Sequence, residues 1–167
     1  LSCSSMQKPN VSDVKYPSGV IKKSQRVLEV YDGDLLVRSF TMVLGSSPES
    51  DKEIEGDGRT PEGEVYVFTK NPKSRFHLSL GLSYPALDDA DRGFAGGLIN
   101  GEERDAIKKA IAEKTMPPQK PRLGGEIYIH GGGTARDWTD GCVALENEEM
   151  TALFEAIPVG TKVVILK

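Results

Sequence analysis

A histidine and a cysteine lie twelve positions apart in a glycine-rich part of the sequence. His130 ends the apolar residues 127–129 and is followed by three glycines, whereas Cys142 comes directly after Gly141. A thiol becomes a strong nucleophile when a nearby base takes its proton, and an imidazole is the usual base. Glycines let backbone amides approach a substrate closely, as stabilisation of an oxyanion requires. The pattern predicts a cysteine nucleophile that a histidine activates.

The residues alone leave other interpretations open. Cys142 could be a buried structural cysteine beside a turn, because free cysteine is among the most buried residue types. His77, His130 and Cys142 could supply three zinc ligands, but their scattered spacing is unlike that of metal motifs. We therefore expect no metal and no cofactor. The His-Gly-Gly-Gly string is similar to the oxyanion loop of lipases, but the sequence has no Gly-x-Ser-x-Gly string.

Strands are predicted on both sides of the histidine and cysteine segment. Residues 26–31 alternate between apolar and polar types, and Asp32-Gly33 is typical of a hairpin turn that leads into a strand over 35–44. Phe76, Leu78 and Leu80 also alternate with polar residues, which predicts a half-buried strand. The other predicted strands cover residues 64–69, 126–129 and 162–166.

Two helices complete the predicted domain. Residues 101–114 carry their acidic side chains early and their lysines late, which suits the helix dipole. Asn147 can cap a second helix, in which Met150, Leu153, Phe154 and Ile157 recur at helical spacing. The sequence thus predicts a single, mainly β domain with two helices.

Composition limits the classes of function. The 167 residues carry 21 basic and 25 acidic side chains, a net charge of −4. This mild acidity argues against a nucleic-acid partner, which would need a basic stripe. No apolar run exceeds four residues, whereas a membrane-spanning helix needs about 20. The expected class is a globular domain, and we expect it to be a monomer.

The first residues resemble a membrane anchor. Ser2-Cys3 is similar to the small residue and cysteine at which bacterial lipoproteins are lipidated, although an arbitrary boundary of the sequence is the alternative. Residues 1–26 contain five basic residues and one aspartate, a net charge of +4. Such a segment would be attracted to anionic lipid headgroups. We therefore expect a flexible tether over residues 1–24, with membrane attachment through a lipidated Cys3, and a folded domain over residues 25–167.

Several motifs together resemble the L,D-transpeptidase catalytic domain family (the YkuD-like domains). The signature of that family is His-Gly, a variable loop, and Ser/Thr-x-Gly-Cys followed by an apolar residue, here His130-Gly131 and Thr139-Asp140-Gly141-Cys142-Val143. Residues 56–63 and 71–85 also resemble segments of the family. The resemblance covers about residues 25–167. It implies a mainly β sandwich or barrel with mixed sheets and about two peripheral helices.

The resemblance implies roles for five backbone or side-chain groups. Cys142 would be the nucleophile and His130 the acid and base, oriented by the backbone carbonyl of Gly131. The amides of Gly141 and Cys142 would bind the oxyanion. The substrates implied are peptidoglycan stem peptides, outside the cytoplasmic membrane. The reaction would be thioester formation with loss of D-alanine and then 3-3 cross-linking, with L,D-carboxypeptidase activity, hydrolysis of wall-attached peptides or a non-catalytic wall-binding module as alternatives.

Residues around this pair are candidates for substrate binding. Arg75, His77 and Ser79 alternate along one predicted strand and could line the donor site, although a surface position is the alternative for His77. Thr139 is expected to order its turn, and Trp138 is either a lid or part of the core. The sequence departs from the family in having Asp140 where many members have histidine, and Ala144 where many have arginine.

Overall fold

A computed structural model describes residues 11–167 and contains an eight-stranded mixed sheet. The strand order across the sheet is β3-β2-β1-β8-β4-β5-β6-β7. The strands are β1 (Pro17–Lys22), β2 (Val27–Asp32), β3 (Leu35–Thr41), β4 (Gly63–Ser74), β5 (His77–Leu82), β6 (Tyr128–His130), β7 (Val143–Ala144) and β8 (Lys162–Leu166). The prediction of a mainly β domain is confirmed.

The sheet is curled, so that its two edges approach each other. β1, β2 and β3 form an antiparallel meander, and β8 inserts beside β1 in parallel and beside β4 in antiparallel orientation. After β3 the chain forms a bridge between Val43 and Ala144 of β7, at the opposite edge of the sheet. The right-handed twist of strands favours this curling, and the result is a half-barrel.

The interior of the half-barrel is filled by apolar side chains from alternating strand positions. Phe40, Leu80, Leu82 and Val143 have no exposed surface, and Met150 joins them from a helix. Each apolar side chain buried in this way stabilises the folded domain by roughly 1.5–3 kcal/mol. The packed interior therefore holds β5, β6 and β7, the strands next to the histidine and cysteine, as one rigid unit.

Within residues 11–167, three α-helices lie outside the sheet, one more than the sequence predicts. They are α1 (Leu87–Ala95), α2 (Gly101–Glu113) and α3 (Asn147–Ala156). The side chain of Asn100 caps α2 by accepting from the Glu103 amide at 2.9 Å. A second small apolar cluster joins α1 and α2 through Ala90, Ile107 and Leu123. None of the helices within residues 11–167 is long and apolar enough to cross a membrane.

The predicted boundary between tether and domain at residue 25 is wrong. Residues 17–22 form β1, which pairs with β2 on one side and β8 on the other, and Ile21 has no exposed surface. A short 3-10 helix at Val11–Asp13 contacts α3. Proline and glycine in β1 hide its strand character from sequence patterns, whereas pairing on both sides stabilises it. Cys3 lies outside the described residues.

Candidate active site

His130 and Cys142 both line one large cavity of about 1450 Å³. Four segments form its walls: the loop that follows β3, the hairpin of β4 and β5, the stretch that leads into β6, and the turn before β7. The cavity is partly open, with charged and neutral side chains along it. Its volume exceeds the usual range of about 300–1,000 Å³ of small-molecule pockets, so it has room for a larger substrate.

The parallel pairing of β6 and β7 brings the two candidate residues together. The register places Ile129 beside Val143 and His130 beside Ala144. One step back along this register Cys142 comes beside Tyr128, so the side chains of His130 and Cys142 project from the same face of the sheet. Loop closure over twelve residues costs little conformational entropy.

The sulfur of Cys142 has two backbone partners. The Tyr128 amide donates to Sγ at 3.4 Å, and Sγ donates to the Glu126 carbonyl at 3.4 Å. Glu126 has the left-handed φ of 56°, which aims its carbonyl toward the thiol. Its amide is in turn held by Gln119 Oε1 at 2.8 Å. The resting thiol is therefore directed at a backbone carbonyl.

The ring of His130 is held in one tautomer. Its Nδ1 lies 2.5 Å from the Gly131 carbonyl, and a carbonyl only accepts, so Nδ1 carries the hydrogen. In the neutral ring Nε2 then has the free lone pair that a general base needs. His130 is only 4% exposed, and Phe76 and Trp138 contact its ring.

Both groups are neutral in the resting site. Burial raises the pKa of Cys142 to about 11, an effect that Asp140 and Glu126 increase and the Tyr128 amide opposes. Burial also lowers the pKa of His130, and the charge of Arg75 lowers it further while the bond to Gly131 acts in the opposite direction. At neutral pH the site therefore holds a thiol and a neutral imidazole, and the proton leaves sulfur only during attack.

Thr139 orders the turn that carries the cysteine. Its Oγ1 donates to the Cys142 carbonyl at 2.7 Å and accepts from the Gly141 amide at 3.1 Å. Gly141 has φ 139°, and a Cβ there would meet the Arg59 carbonyl at 2.7 Å, so only glycine fits. The Gly141 amide is thus bonded to Thr139, and its role toward an oxyanion stays a prediction.

The other predicted substrate-binding residues divide into two groups. Arg75, Ser79 and Trp138 line the cavity. His77 does not, because its Nε2 lies 2.7 Å from Thr151 Oγ1 on α3. The prediction that Arg75, His77 and Ser79 share one face is wrong. The strand pattern is interrupted by a register shift before His77, which itself has φ 77°.

Sequence reasoning misses three contributors to the site. Phe76 packs on His130, the Tyr128 amide reaches the sulfur, and the Glu126 carbonyl accepts from it. Two of these act through backbone atoms, for which side-chain identity carries no signal. Within residues 11–167, no group of three potential metal-ligating side chains comes together.

The model of the L,D-transpeptidase catalytic domain family, YkuD, matches residues 18–165, nearly the whole chain. The chain belongs to this family. No curated protein matches the sequence.

Solved L,D-transpeptidases and related structures share the fold. A variant of Pgp2, the helical cell shape determining protein of Campylobacter jejuni, has a TM-score of 0.64 at 23% identity over 97% of this chain and 52% of that chain. The L,D-transpeptidase of Mycobacterium smegmatis has 0.54 at 11%, over 91% and 59%. L,D-transpeptidase 1 of Mycobacterium tuberculosis has 0.53 at 12%, over 90% and 62%, and a structure of LdtMt1 contains imipenem.

The chain spans about half the length of the solved proteins it matches. The two expected departures of this L,D-transpeptidase domain from its family lie beside the cysteine, at Asp140 and Ala144. Ala144 is fully buried and pairs with Val43, so it offers no substrate contact. Asp140 is exposed and lines the cavity.

Proposed function

We propose that this L,D-transpeptidase domain transfers an acyl group between peptidoglycan stem peptides through a thioester on Cys142. The donor is a stem whose third residue is joined to a fourth-position D-alanine. The acceptor is an amine on a neighbouring stem, and the product is a 3-3 cross-link. The proposal depends on one observation above all, that Cys142 and a His130 in the Nδ1–H tautomer line the same cavity.

The first half of the reaction makes the thioester. His130 Nε2 takes the proton from Sγ while sulfur bonds to the carbonyl carbon of the third residue. The Cys142 amide is the candidate donor to the resulting oxyanion, and the Gly141 amide joins it if Thr139 gives up its bond. The carbon–nitrogen bond then breaks, and His130 returns its proton to the amine of the departing D-alanine.

The second half releases the acyl group. The acceptor amine attacks the thioester carbonyl, His130 takes a proton from the attacking nitrogen, and sulfur leaves and regains a proton. Attack by water in place of the amine gives L,D-carboxypeptidase activity or hydrolysis of wall-attached peptides. The partition between these outcomes depends on how well the acceptor side of the cavity excludes water.

Charge around the cavity supports an anionic donor. Arg75 lines the cavity, is exposed, and takes part in no ion pair within residues 11–167. Stem peptides carry free carboxylates, which a guanidinium binds well. Because Ala144 is buried where many family members have an arginine, two positions after the cysteine, we assign a contact with a donor carboxylate to Arg75.

The site of action follows from the substrate. Peptidoglycan is built outside the cytoplasmic membrane, so we place the domain in the periplasm or cell envelope. Its similarity to Pgp2, described as determining helical cell shape, supports a function in wall shape. Lipidation of Cys3 stays a prediction. Labelling cells with palmitate, with Cys3→Ala as the matched variant, tests it.

Product analysis tests the proposed reaction. A defined disaccharide-tetrapeptide is incubated with the protein, with and without an acceptor stem, and the products are weighed by mass spectrometry. We expect loss of D-alanine and a 3-3 dimer when the acceptor is present, and neither with Cys142→Ala. Release of D-alanine without any dimer would indicate the carboxypeptidase.

Imipenem separates the enzyme from a non-catalytic wall-binding module. A structure of the similar protein LdtMt1 contains this compound. We expect a covalent adduct of one imipenem on the protein and none on Cys142→Ala. No adduct on the unsubstituted protein, together with binding to isolated wall, would favour the binding module.

A further inference from the structure

The tip of the hairpin between β4 and β5 reaches over the imidazole of His130. The ring of Phe76 stacks on it, with centroids 4.6 Å apart and planes 23° apart. Trp138 closes the arrangement from the side, with its ring centroid 5.4 Å from that of His130 at 64°. Trp138 and Phe76 also contact each other at 5.2 Å and 66°. Stacked and edge-on contacts at these distances are the favoured arrangements of aromatic rings.

We propose that Phe76 is a positioning residue for His130, which holds the plane of the imidazole so that Nε2 faces the cysteine. The consequence for turnover rests on the proposed function. The ring geometry itself does not, because contacts among side chains of the domain set it.

The backbone of the hairpin tip supports the same role. A Cβ at Gly131 would lie 2.7 Å from the Phe76 carbonyl, so the tip and the glycine loop fit together only because this side chain is absent. A Cβ at Gly132 would lie 3.0 Å from the ring of Trp138. Trp138 is itself fixed by a bond from Nε1 to the Gly133 carbonyl at 3.0 Å. Phe76 and Trp138 therefore pack closely against the glycine loop that follows His130.

A rigid ring is needed because histidine is loose about its second side-chain torsion. That torsion is broad and roughly two-fold, so an unconstrained imidazole exchanges the positions of its two nitrogens. The bond from Nδ1 to the Gly131 carbonyl selects one orientation, and the Phe76 ring blocks rotation out of it. During the reaction the proton moves from Sγ to Nε2 and then to the leaving amine. Phe76 exchanges no proton and acts only through His130.

Charged and titratable side chains also line the cavity that contains the His130 ring, and a test of Phe76 must leave them unchanged. Arg75 lies on the hairpin with its guanidinium 4.8 Å from the Phe76 centroid. Cys142, Asp140, Glu126 and Tyr128 line the same cavity from the other walls. The substitutions below leave all of them in place.

The test compares three substitutions at one position. Phe76→Leu and Phe76→Met remove the flat ring but keep apolar bulk, and either one suffices if the other fails to fold. Phe76→Tyr keeps the ring. Phe94→Leu is the matched control, because Phe94 also lies under an arginine, with Arg104 4.1 Å from its ring centroid, but it is not part of the cavity.

Two readouts are measured. The chain has two histidines, so nitrogen-15 NMR resolves the ring of His130, with His77 as the internal control. We expect Phe76→Leu to reduce the Nδ1–H tautomer of His130 and leave His77 unchanged. We expect kcat for cross-linking to fall about 10- to 100-fold, the cost of misplacing a catalytic group, with KM changed about twofold or less. Phe76→Tyr should restore both.

The outcomes separate this inference from the proposed function. An unaltered His130 tautomer and an unaltered kcat in Phe76→Leu would overturn the inference, even if Cys142→Ala is inactive. An equal loss in Phe94→Leu would overturn it as well. Full cross-linking by Cys142→Ala would instead overturn the proposed function, while the NMR result on His130 would still decide whether Phe76 holds the ring.

Discussion

Arg26 and Asp137 are joined by two hydrogen bonds although 111 positions separate them in the sequence. Nε donates to Oδ1 at 3.1 Å, and a terminal guanidinium nitrogen donates to Oδ2 at 2.8 Å. The Leu44 amide also donates to Asp137 at 2.9 Å. The carboxylate thus fastens the loop between His130 and Cys142 to the sheet, which favours a structural role over attraction of a substrate amine.

Removing this carboxylate should loosen the loop. We expect Asp137→Ala to lower the free energy of unfolding by about 1–3 kcal/mol, because it removes the acceptor of the Leu44 amide and of two donors of the Arg26 guanidinium, which keeps its bond to the Lys23 carbonyl. Asp137→Asn, which keeps one acceptor, should cost less. Urea unfolding monitored by circular dichroism measures both. An unchanged midpoint for Asp137→Ala would show that this fastening contributes nothing to stability.

The same carboxylate has a pH signature. Burial raises the pKa of Asp137, but the bonds from Arg26 and the Leu44 amide outweigh burial and lower the pKa below its usual 3.8. Its contribution to stability is therefore complete above pH 3.8 and is lost as pH falls through the lower, folded-state pKa. The difference in stability between the unsubstituted protein and Asp137→Ala should shrink in that acidic range.

The hydroxyl of Thr139 should matter more than its methyl group. Thr139→Val removes both bonds to the turn of Cys142, and we expect a loss of about 1–3 kcal/mol in stability and a lower kcat. Thr139→Ser keeps the hydroxyl and is the matched control. Unfolding midpoints and cross-linking rates measured on both variants decide the point. Equal behaviour of valine and serine would show that the hydroxyl does not order the turn.

Alkylation of Cys142 should report its protonation. In a Cys3→Ala background one thiol is left. Because burial raises the pKa of Cys142 to about 11, the rate of His130→Ala with iodoacetamide should rise about tenfold per pH unit between pH 7 and 9, whereas base assistance by His130 should give a faster and flatter profile near neutral pH. His130→Ala should lower the rate near neutral pH. An identical pH profile in that variant would rule out His130 as the activating base.

Arg75 should influence both acidity and substrate affinity. Burial and then the charge of Arg75 lower the pKa of His130, so kcat/KM should keep its value to below pH 6.5 before the base becomes protonated. Arg75→Gln should move this acid limb to higher pH and raise KM for the anionic donor. Arg75→Lys keeps the positive charge and should leave the acid limb of kcat/KM at the same pH. Added salt should weaken the effect of this charge on the pKa of His130. A limb at the same pH in all three proteins would contradict the assignment.

Asp89 of α1 should make the domain more stable in mild acid than at neutral pH. Burial raises the pKa of Asp89 to about 6, against the hydrogen bond from the Ala86 amide. The folded state therefore binds a proton more readily than the unfolded state, and this group adds stability as pH falls from 7 to 4. Relative to Asp89→Asn the gain should be on the order of 2–3 kcal/mol.

Thermal unfolding of both proteins between pH 4 and 7 measures the Asp89 effect. Asp105→Asn is the control, because Asp105 is also an aspartate in a helix but its side chain is exposed on α2. A constant difference between the unsubstituted protein and Asp89→Asn across this range would contradict the prediction.

Local patterns in the sequence determined the elements and the chemistry of the pair. The alternation over residues 26–31, the Asp32-Gly33 turn that leads into β3 and the charges of α2 depend on neighbours a few residues apart, so a sequence shows them. The spacing of His130, Gly141 and Cys142 is equally local. These residues, with the family signature they form, were sufficient to predict a mainly β domain with a cysteine and histidine site.

Tertiary structure decided what each group contacts. β1 depends on a parallel partner more than 140 positions later in the chain, and α1 on packing against α2, so neither has a strong local pattern. A register shift and one left-handed residue turned His77 toward α3 and left Phe76 over His130. The bonds of Cys142 to two backbone groups follow from strand register. Sequence patterns carry propensity and periodicity, whereas register and long-range pairing are settled only when the whole sheet closes.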